Sequence, residues 1–155
     1  MTKEELMRRA IELSEENVKN GGGPFGAVIA RNGEIVSVGV NRVVPDCDPT
    51  AHAEINAIRE ACKVLGRFSL AGCEIYTSCE PCPMCLGAIY WAHLDGMYYG
   101  NAKEDAAEIG FDDDFIYKEL SLPPLRRRLF SARLLQSEAV RAFRDWKEKP
   151  DKTEY

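Results

Sequence analysis

Two short strings, His52-Ala53-Glu54 and Pro81-Cys82-Pro83-Met84-Cys85, carry residue types that hold a transition metal. His52, Cys82 and Cys85 offer one nitrogen and two sulfurs, a donor set that suits zinc. Three ligands leave a tetrahedral ion one position short. A structural site closes that position with protein, whereas a catalytic site keeps it for water. Glu54 lies beside His52 and supplies a carboxylate that could move protons next to the ion. The combination predicts an enzyme that makes a metal-bound hydroxide and keeps a proton carrier beside it. Cys79 is near enough in sequence to complete a closed Cys3His knot, and counting ligands leaves that reading open. A Cys-x-x-Cys pair alone would also fit a redox pair or plain core.

These residues must be brought together by the elements that carry them. Thr2 and Glu5 form a capping-box pattern that opens a helix. Met7, Ala10, Ile11, Ser14 and Val18 then recur at helical steps, and Asn20-Gly21-Gly22-Gly23-Pro24 ends it. Apolar runs over 26–30 and 34–40, joined by Arg31-Asn32-Gly33, predict an antiparallel hairpin. Asp48-Pro49 is a helix entrance, which places His52 in a first helical turn. Ile55, Ile58, Cys62 and Leu65 line one face of that helix, and Gly66 stops it. A strand over 73–77 precedes a helix over 81–92 opened by Pro81. On that helix Cys82 and Cys85 share a face, near the positive dipole end that lowers a thiol's pKa.

A strand over 96–100 and a short helix over 103–109 follow. Residues 128–135 read as extended, and 137–147 as a helix burying Val140, Phe143 and Trp146. The series predicts one α/β domain, with helices on both faces of a mixed five-stranded sheet whose first two strands are antiparallel.

Composition narrows the partners. The chain has 155 residues, 45% apolar and 29% charged, and a net charge of −5. One domain of that size buries a sizeable core. The acidic balance argues against nucleic acid as partner, and Arg126-Arg127-Arg128 reads as a solvated run. No apolar stretch is long enough to span a membrane, and residues 1–5 do not read as a signal peptide, so the expected place is the cytosol. Cys47, Cys62 and Cys73 lack partners at ligand spacing and read as core or loop residues. His93 reads as a capping or packing histidine. Trp91, near a helix end, divides evenly between core and a wall facing a planar substrate.

The strings 50–54 and 77–92 resemble the cytidine deaminase superfamily, and within it the bacterial guanine deaminases as a group. Further likeness lies in 23–28, 48–50, 110–113, 115–119 and the terminal Glu154-Tyr155. The resemblance implies a three-layer α/β/α sandwich of cytidine-deaminase type. It implies one zinc ion per subunit on His52, Cys82 and Cys85, and hydroxide attack at C2 of guanine with Glu54 as proton shuttle. Such an enzyme is a hydrolase acting on C–N bonds of cyclic amidines, releasing xanthine and ammonia.

By the same resemblance Asn41, Asp113 and Phe25 bind the base, Tyr155 closes the pocket, and Ala53 and Trp91 adjoin it. A homodimer is implied, in which a C-terminal segment of about 136–155 is exchanged between subunits. The superfamily also holds guanosine, cytosine and tRNA adenosine deaminases, which are alternatives. A zinc-stabilised module without catalysis is the remaining one, and it predicts that Glu54→Gln alters nothing.

Overall fold

The computed structural model describes residues 1–155. Helix α1 runs Lys3–Lys19 and starts with the expected capping box. The Glu5 N–H donates to Thr2 Oγ1 at 3.2 Å, and the Thr2 N–H to Glu5 Oε2 at 2.7 Å. Its buried face is Leu6, Ala10, Leu13 and Ser14. Ala10 and Ser14 of the expected stripe are on that face and Met7 packs against it, but Leu6 and Leu13 complete it, because only packing selects between overlapping apolar stripes. Ile11 and Val18 stay exposed.

Strands β1 (Gly26–Arg31) and β2 (Glu34–Val40) pair antiparallel. Asn32 (φ 52°) and Gly33 (φ 78°) supply the two left-handed turn residues that such a hairpin needs. Strand β3 (Glu74–Cys79) pairs antiparallel with β1, and β4 (Gly96–Asn101) pairs parallel with β3. The sheet has four strands in the order β2-β1-β3-β4.

Side chains of β1 alternate between two buried layers. Ala27 and Ile29 join Ile75 in a core with Ala53, Ala57 and Ala61 of α2 (Ala53–Leu65) and Ile89 of α3 (Pro83–Trp91). Val28 and Ala30 join Tyr76 in a core with Leu6, Ala10 and Leu13 of α1. A strand buried on both faces reads as a continuous apolar run, as Gly26–Ala30 does. The three-layer expectation holds for this part of the chain. Helix α2 lies very close to β2: a Cβ on Gly39 would overlap the Ala53 carbonyl oxygen and stand 2.5 Å from Ala57 N. Ser37 Oγ donates to Ala57 O at 2.7 Å, and Asn56 Nδ2 to Val40 O at 2.8 Å, locking that contact.

Two compact units divide the chain, residues 1–116 and 117–155. Helix α4 (Lys103–Glu108) belongs to the first, and α5 (Asp113–Ser121) begins in it. The second holds a 3-10 turn, Pro124–Arg126, and α6, Gln136–Glu148. The expected fifth strand over 128–135 does not form, because the second unit contains no other strand to accept its hydrogen bonds. The expected burial along the last helix also fails. Phe143 is 78% exposed, Trp146 is exposed and Val140 only half-buried, since no element of that unit covers α6. No helix is long and apolar enough to cross a membrane.

Candidate metal centre and substrate cavity

His52 and Cys82 are each the residue immediately before a helix, α2 and α3 respectively. Both have extended backbone (φ −70°, ψ 158°; φ −65°, ψ 167°), and neither side chain caps its own helix. Polar residues at that position ordinarily bond back to the first turn. Here they are free to meet each other. The sequence had placed His52 and Cys82 inside first turns, with Pro81 opening the second helix; Pro83 opens it instead, where its missing N–H costs nothing. Cys85 follows in the first turn of α3, and two positive helix ends therefore converge on one point.

Cys82 Sγ lies 3.6 Å, and Cys85 Sγ 3.5 Å, from His52 Nδ1. All three donor atoms fall within 4.8 Å of one another. Zinc bonds of about 2.3 Å to sulfur and about 2.05 Å to nitrogen, at a tetrahedral angle, separate the two atoms by about 3.5 Å. The donor set and spacing fit zinc. Cys79 does not join them: its Sγ donates to Ala102 O at 3.8 Å, and burial pushes its thiol up to about 11. The closed Cys3His knot is thereby excluded.

The charges around the three ligands are strongly coupled. A hydrogen bond from Cys85 holds the Cys82 thiol down at about 4, despite burial. That same bond, together with burial, drives Cys85 upward. The hydrogen bond with Cys82 raises His52. Glu54 is only 6% exposed, and burial is the first cause of its raised pKa. Glu54 Oε2 is 3.4 Å from Cys85 Sγ, and Thr77 Oγ1 stands 3.5 Å from Oε1. The carboxylate thus sits beside the three donors rather than among them.

A cavity of about 270 Å³ opens onto this centre, near the lower end of small-molecule sites. His52, Glu54 and Cys82 line it, and so do Asn41, Asp113 and Phe25, the residues that the resemblance had grouped. Phe25 meets Phe111 edge to face, with ring centroids 4.9 Å apart. Burial is the first cause of a raised pKa at Asp113, followed by the charge of Cys82. Asn41 Oδ1 accepts the Val43 N–H at 3.3 Å.

Two grouped residues of the first unit are absent from the cavity. Ala53 is fully buried in the core shared with β1, because one helical step from His52 turns it inward. Trp91 lies at the opposite end of α3 from Cys82 and is 68% exposed. Tyr155 belongs to the second unit, with an exposed side chain. Sequence reasoning missed the wall residues Val43, Val44 and Glu80. Glu80 adjoins the Pro81-Cys82 string, and its Oε2 accepts the Lys103 N–H at 3.1 Å, which fixes the start of α4. Nothing in the sequence marks Val43 or Val44.

A three-layer fold with a His-Cys-Cys zinc centre, a buried carboxylate beside it and a small cavity above defines a zinc-dependent deaminase. The chain belongs to the cytidine and deoxycytidylate deaminase family, whose zinc-binding region matches residues 1–101. It is 50% identical to the guanine deaminase of Bacillus subtilis across 100% of both chains. The X-ray structure of that enzyme superposes with a TM-score of 0.97, covering 100% of this chain and 99% of that one. A guanine deaminase from Nitrosomonas europaea gives a TM-score of 0.70 at 36% identity, covering 72% of this chain and 65% of that one. The tRNA-specific adenosine deaminase of Bacillus subtilis is 40% identical, over 64% of this chain and 63% of its own length.

Proposed function

We propose that the protein hydrolyses guanine to xanthine and ammonia. The observation that carries this reading is one cavity that joins Glu54 to an aromatic wall, Phe25 and Phe111, and to the polar edge groups Asn41 and Asp113. A flat heterocycle with donors and acceptors on its rim needs both kinds of wall. The full-length likeness to a guanine deaminase supports it, because that likeness extends past the zinc-binding region into the Asp113 segment and the tail.

His52, Cys82 and Cys85 would hold the zinc ion. When bound, zinc supplies a Lewis acid that lowers the pKa of water towards neutrality. Glu54 takes a proton from the attacking water and passes it to the ring nitrogen next to C2. Oxygen bonds to C2, its remaining proton passes through Glu54 to the exocyclic amino group, and the bond from C2 to that group breaks to release ammonia and leave the C2 carbonyl of xanthine. Glu54 suits both halves because it is buried beside the three donors, so one carboxylate serves both transfers within hydrogen-bond reach of one site. In this reading the Cys82 N–H, at the start of α3, steadies the oxygen as charge develops on it. Phe25 and Phe111, set at right angles, give one ring for the base face and one for its edge and exclude water, while Asp113 and Asn41 align the base edge.

The working unit in this reading is a homodimer that exchanges residues of about 136–155, with Tyr155 closing the neighbour's pocket. Support comes from apolar side chains left bare in the second unit: Leu129, Phe130 (87% exposed), Leu134, Leu135 and Phe143. A lone soluble chain rarely leaves so much apolar surface uncovered. The place of action is the cytosol, where the two ligand thiols stay reduced.

Ammonia release from guanine, guanosine, adenine, cytosine and aminotriazines, with zinc quantified, tests the reading. Guanine should be the preferred substrate, and no release from it overturns the proposal. A tRNA adenosine substrate fits less well, because a net charge of −5 opposes a polyphosphate. Removing the last few residues should collapse turnover with zinc retained, and unchanged turnover would take Tyr155 out of the site.

A further inference from the structure

We propose that Asn17, on the α1 side of the cavity wall, is a positioning residue for base binding. The inference rests on the reading of Asn41 as a base-binding group and names what holds it in place. Asn17 Nδ2 donates to Gly23 O at 2.8 Å and to Asn41 O at 3.0 Å. A carboxamide nitrogen has two hydrogens, so both are committed. Its orientation is fixed, because the flipped amide would set an oxygen against two carbonyls. Gly23 and Asn41 both line the cavity, yet they come from different segments, the loop after α1 and the end of β2. One side chain joins them.

The backbone repeats the clamp. The Gly22 N–H donates to Asn17 O at 2.8 Å, and a Cβ on Gly22 would lie 2.7 Å from Asn17 Cγ. Phe25 is drawn into the same knot: its N–H donates to Gly23 O at 2.8 Å, and its carbonyl accepts the Asn41 N–H at 3.2 Å. With its backbone held at both ends and its Oδ1 accepting the Val43 N–H, Asn41 has its Nδ2 donors left for a ligand. Asn17 never meets the substrate. It sets the distance between the aromatic wall and the asparagine.

The test uses the zinc-loaded full-length enzyme and steady-state kinetics on guanine for Asn17→Ala, Asn17→Ser, Asn17→Asp, Asn41→Ala and the Asn17→Ala/Asn41→Ala pair. Asn17→Ala should raise KM about tenfold, with kcat within about twofold and zinc unchanged. Asn17→Asp has the same size but sets an acceptor against two carbonyls, so it should be the worse variant. Asn17→Ser, with one donor, should fall between wild type and Ala, and it decides the matter if Ala or Asp fails to fold. Added to Asn41→Ala, the Asn17→Ala change should cost less than about twofold more, since the side chain it positions is gone although the Asn41 carbonyl it holds remains. An Asp variant equal to wild type, a fall in kcat alone, or fully multiplicative effects would overturn the inference. Failure of Asn41→Ala itself to change KM, with guanine still turned over, would instead overturn the reading beneath it.

Discussion

Cys85 Sγ and Glu54 Oε2 stand 3.4 Å apart, although 31 positions separate them in the chain. The contact joins the first turn of α3 to the first turn of α2 and sets the carboxylate proposed as proton carrier against a candidate ligand. Glu54→Gln keeps the shape and removes the proton-carrying group. Turnover should fall by about 10²- to 10⁴-fold, the usual worth of a positioned acid–base group. Zinc per chain should be unchanged, so paired kinetics and metal analysis separate the shuttle from a structural role.

Cys79 and Cys82 make a second comparison. Cys79 is turned towards Ala102 and its thiol is pushed up to about 11, whereas Cys82 is held at about 4 beside His52. Cys79→Ala should therefore bind zinc stoichiometrically, and Cys82→Ala should lose it. Metal loss from the Cys79 variant would revive the closed site.

Gly39 tests how tightly the centre depends on the sheet. A methyl group there overlaps the Ala53 carbonyl oxygen at the start of α2, next to His52 and Glu54. Overpacking of this kind costs about 1–3 kcal/mol, and here the backbone must move. Gly39→Ala should lower the urea midpoint and weaken zinc retention together. A stable variant with weakened zinc retention, or the reverse, would show that the helix start and the sheet are not coupled.

Glu74 carries a pH dependence far from the metal. Tyr76 donates a hydrogen bond to it at 2.7 Å, the main reason its pKa is lowered, with the Lys3 charge and Tyr98 adding to the effect. A carboxyl whose pKa is lower in the folded chain than in the unfolded one favours folding above the unfolded value. That contribution fades as pH falls through the folded value. Glu74→Gln should thus be less stable than wild type at pH 7, and the gap should close towards pH 3. Equal urea midpoints at both pH values would remove Glu74 from the account.

Much of the frame could be read directly. The Thr2–Glu5 box, the Asn32-Gly33 turn and the continuous apolar run of β1 are local signals, and each became the element expected. The stripe on α1 was read half correctly: Ala10 and Ser14 are buried and Met7 packs on the core, but Leu6 and Leu13 complete the face in place of Ile11 and Val18. Periodicity reports that a face is apolar, not which neighbour covers it. Residues 128–135 misled for a related reason: an extended, apolar stretch becomes a strand only when a partner strand is present. Val140, Phe143 and Trp146 have the spacing of a buried face, but nothing in their unit covers them.

The candidate ligands His52, Cys82 and Cys85 and the carboxylate of Glu54 were legible before any fold was known. Few side chains bind zinc, and a His-Cys-Cys set with a glutamate beside the histidine has few chemical uses. The sequence also set the order of the first strands and helices, because capping, turn and apolar-run signals act over a few residues. Long-range packing is what turns Cys79 away and points Ala53 into the core while Glu54 meets Cys85. It alone set Val43, Val44, Glu80 and Phe111 beside Asp113 around one cavity. Those relations join segments far apart in the chain, through packing that no local pattern encodes.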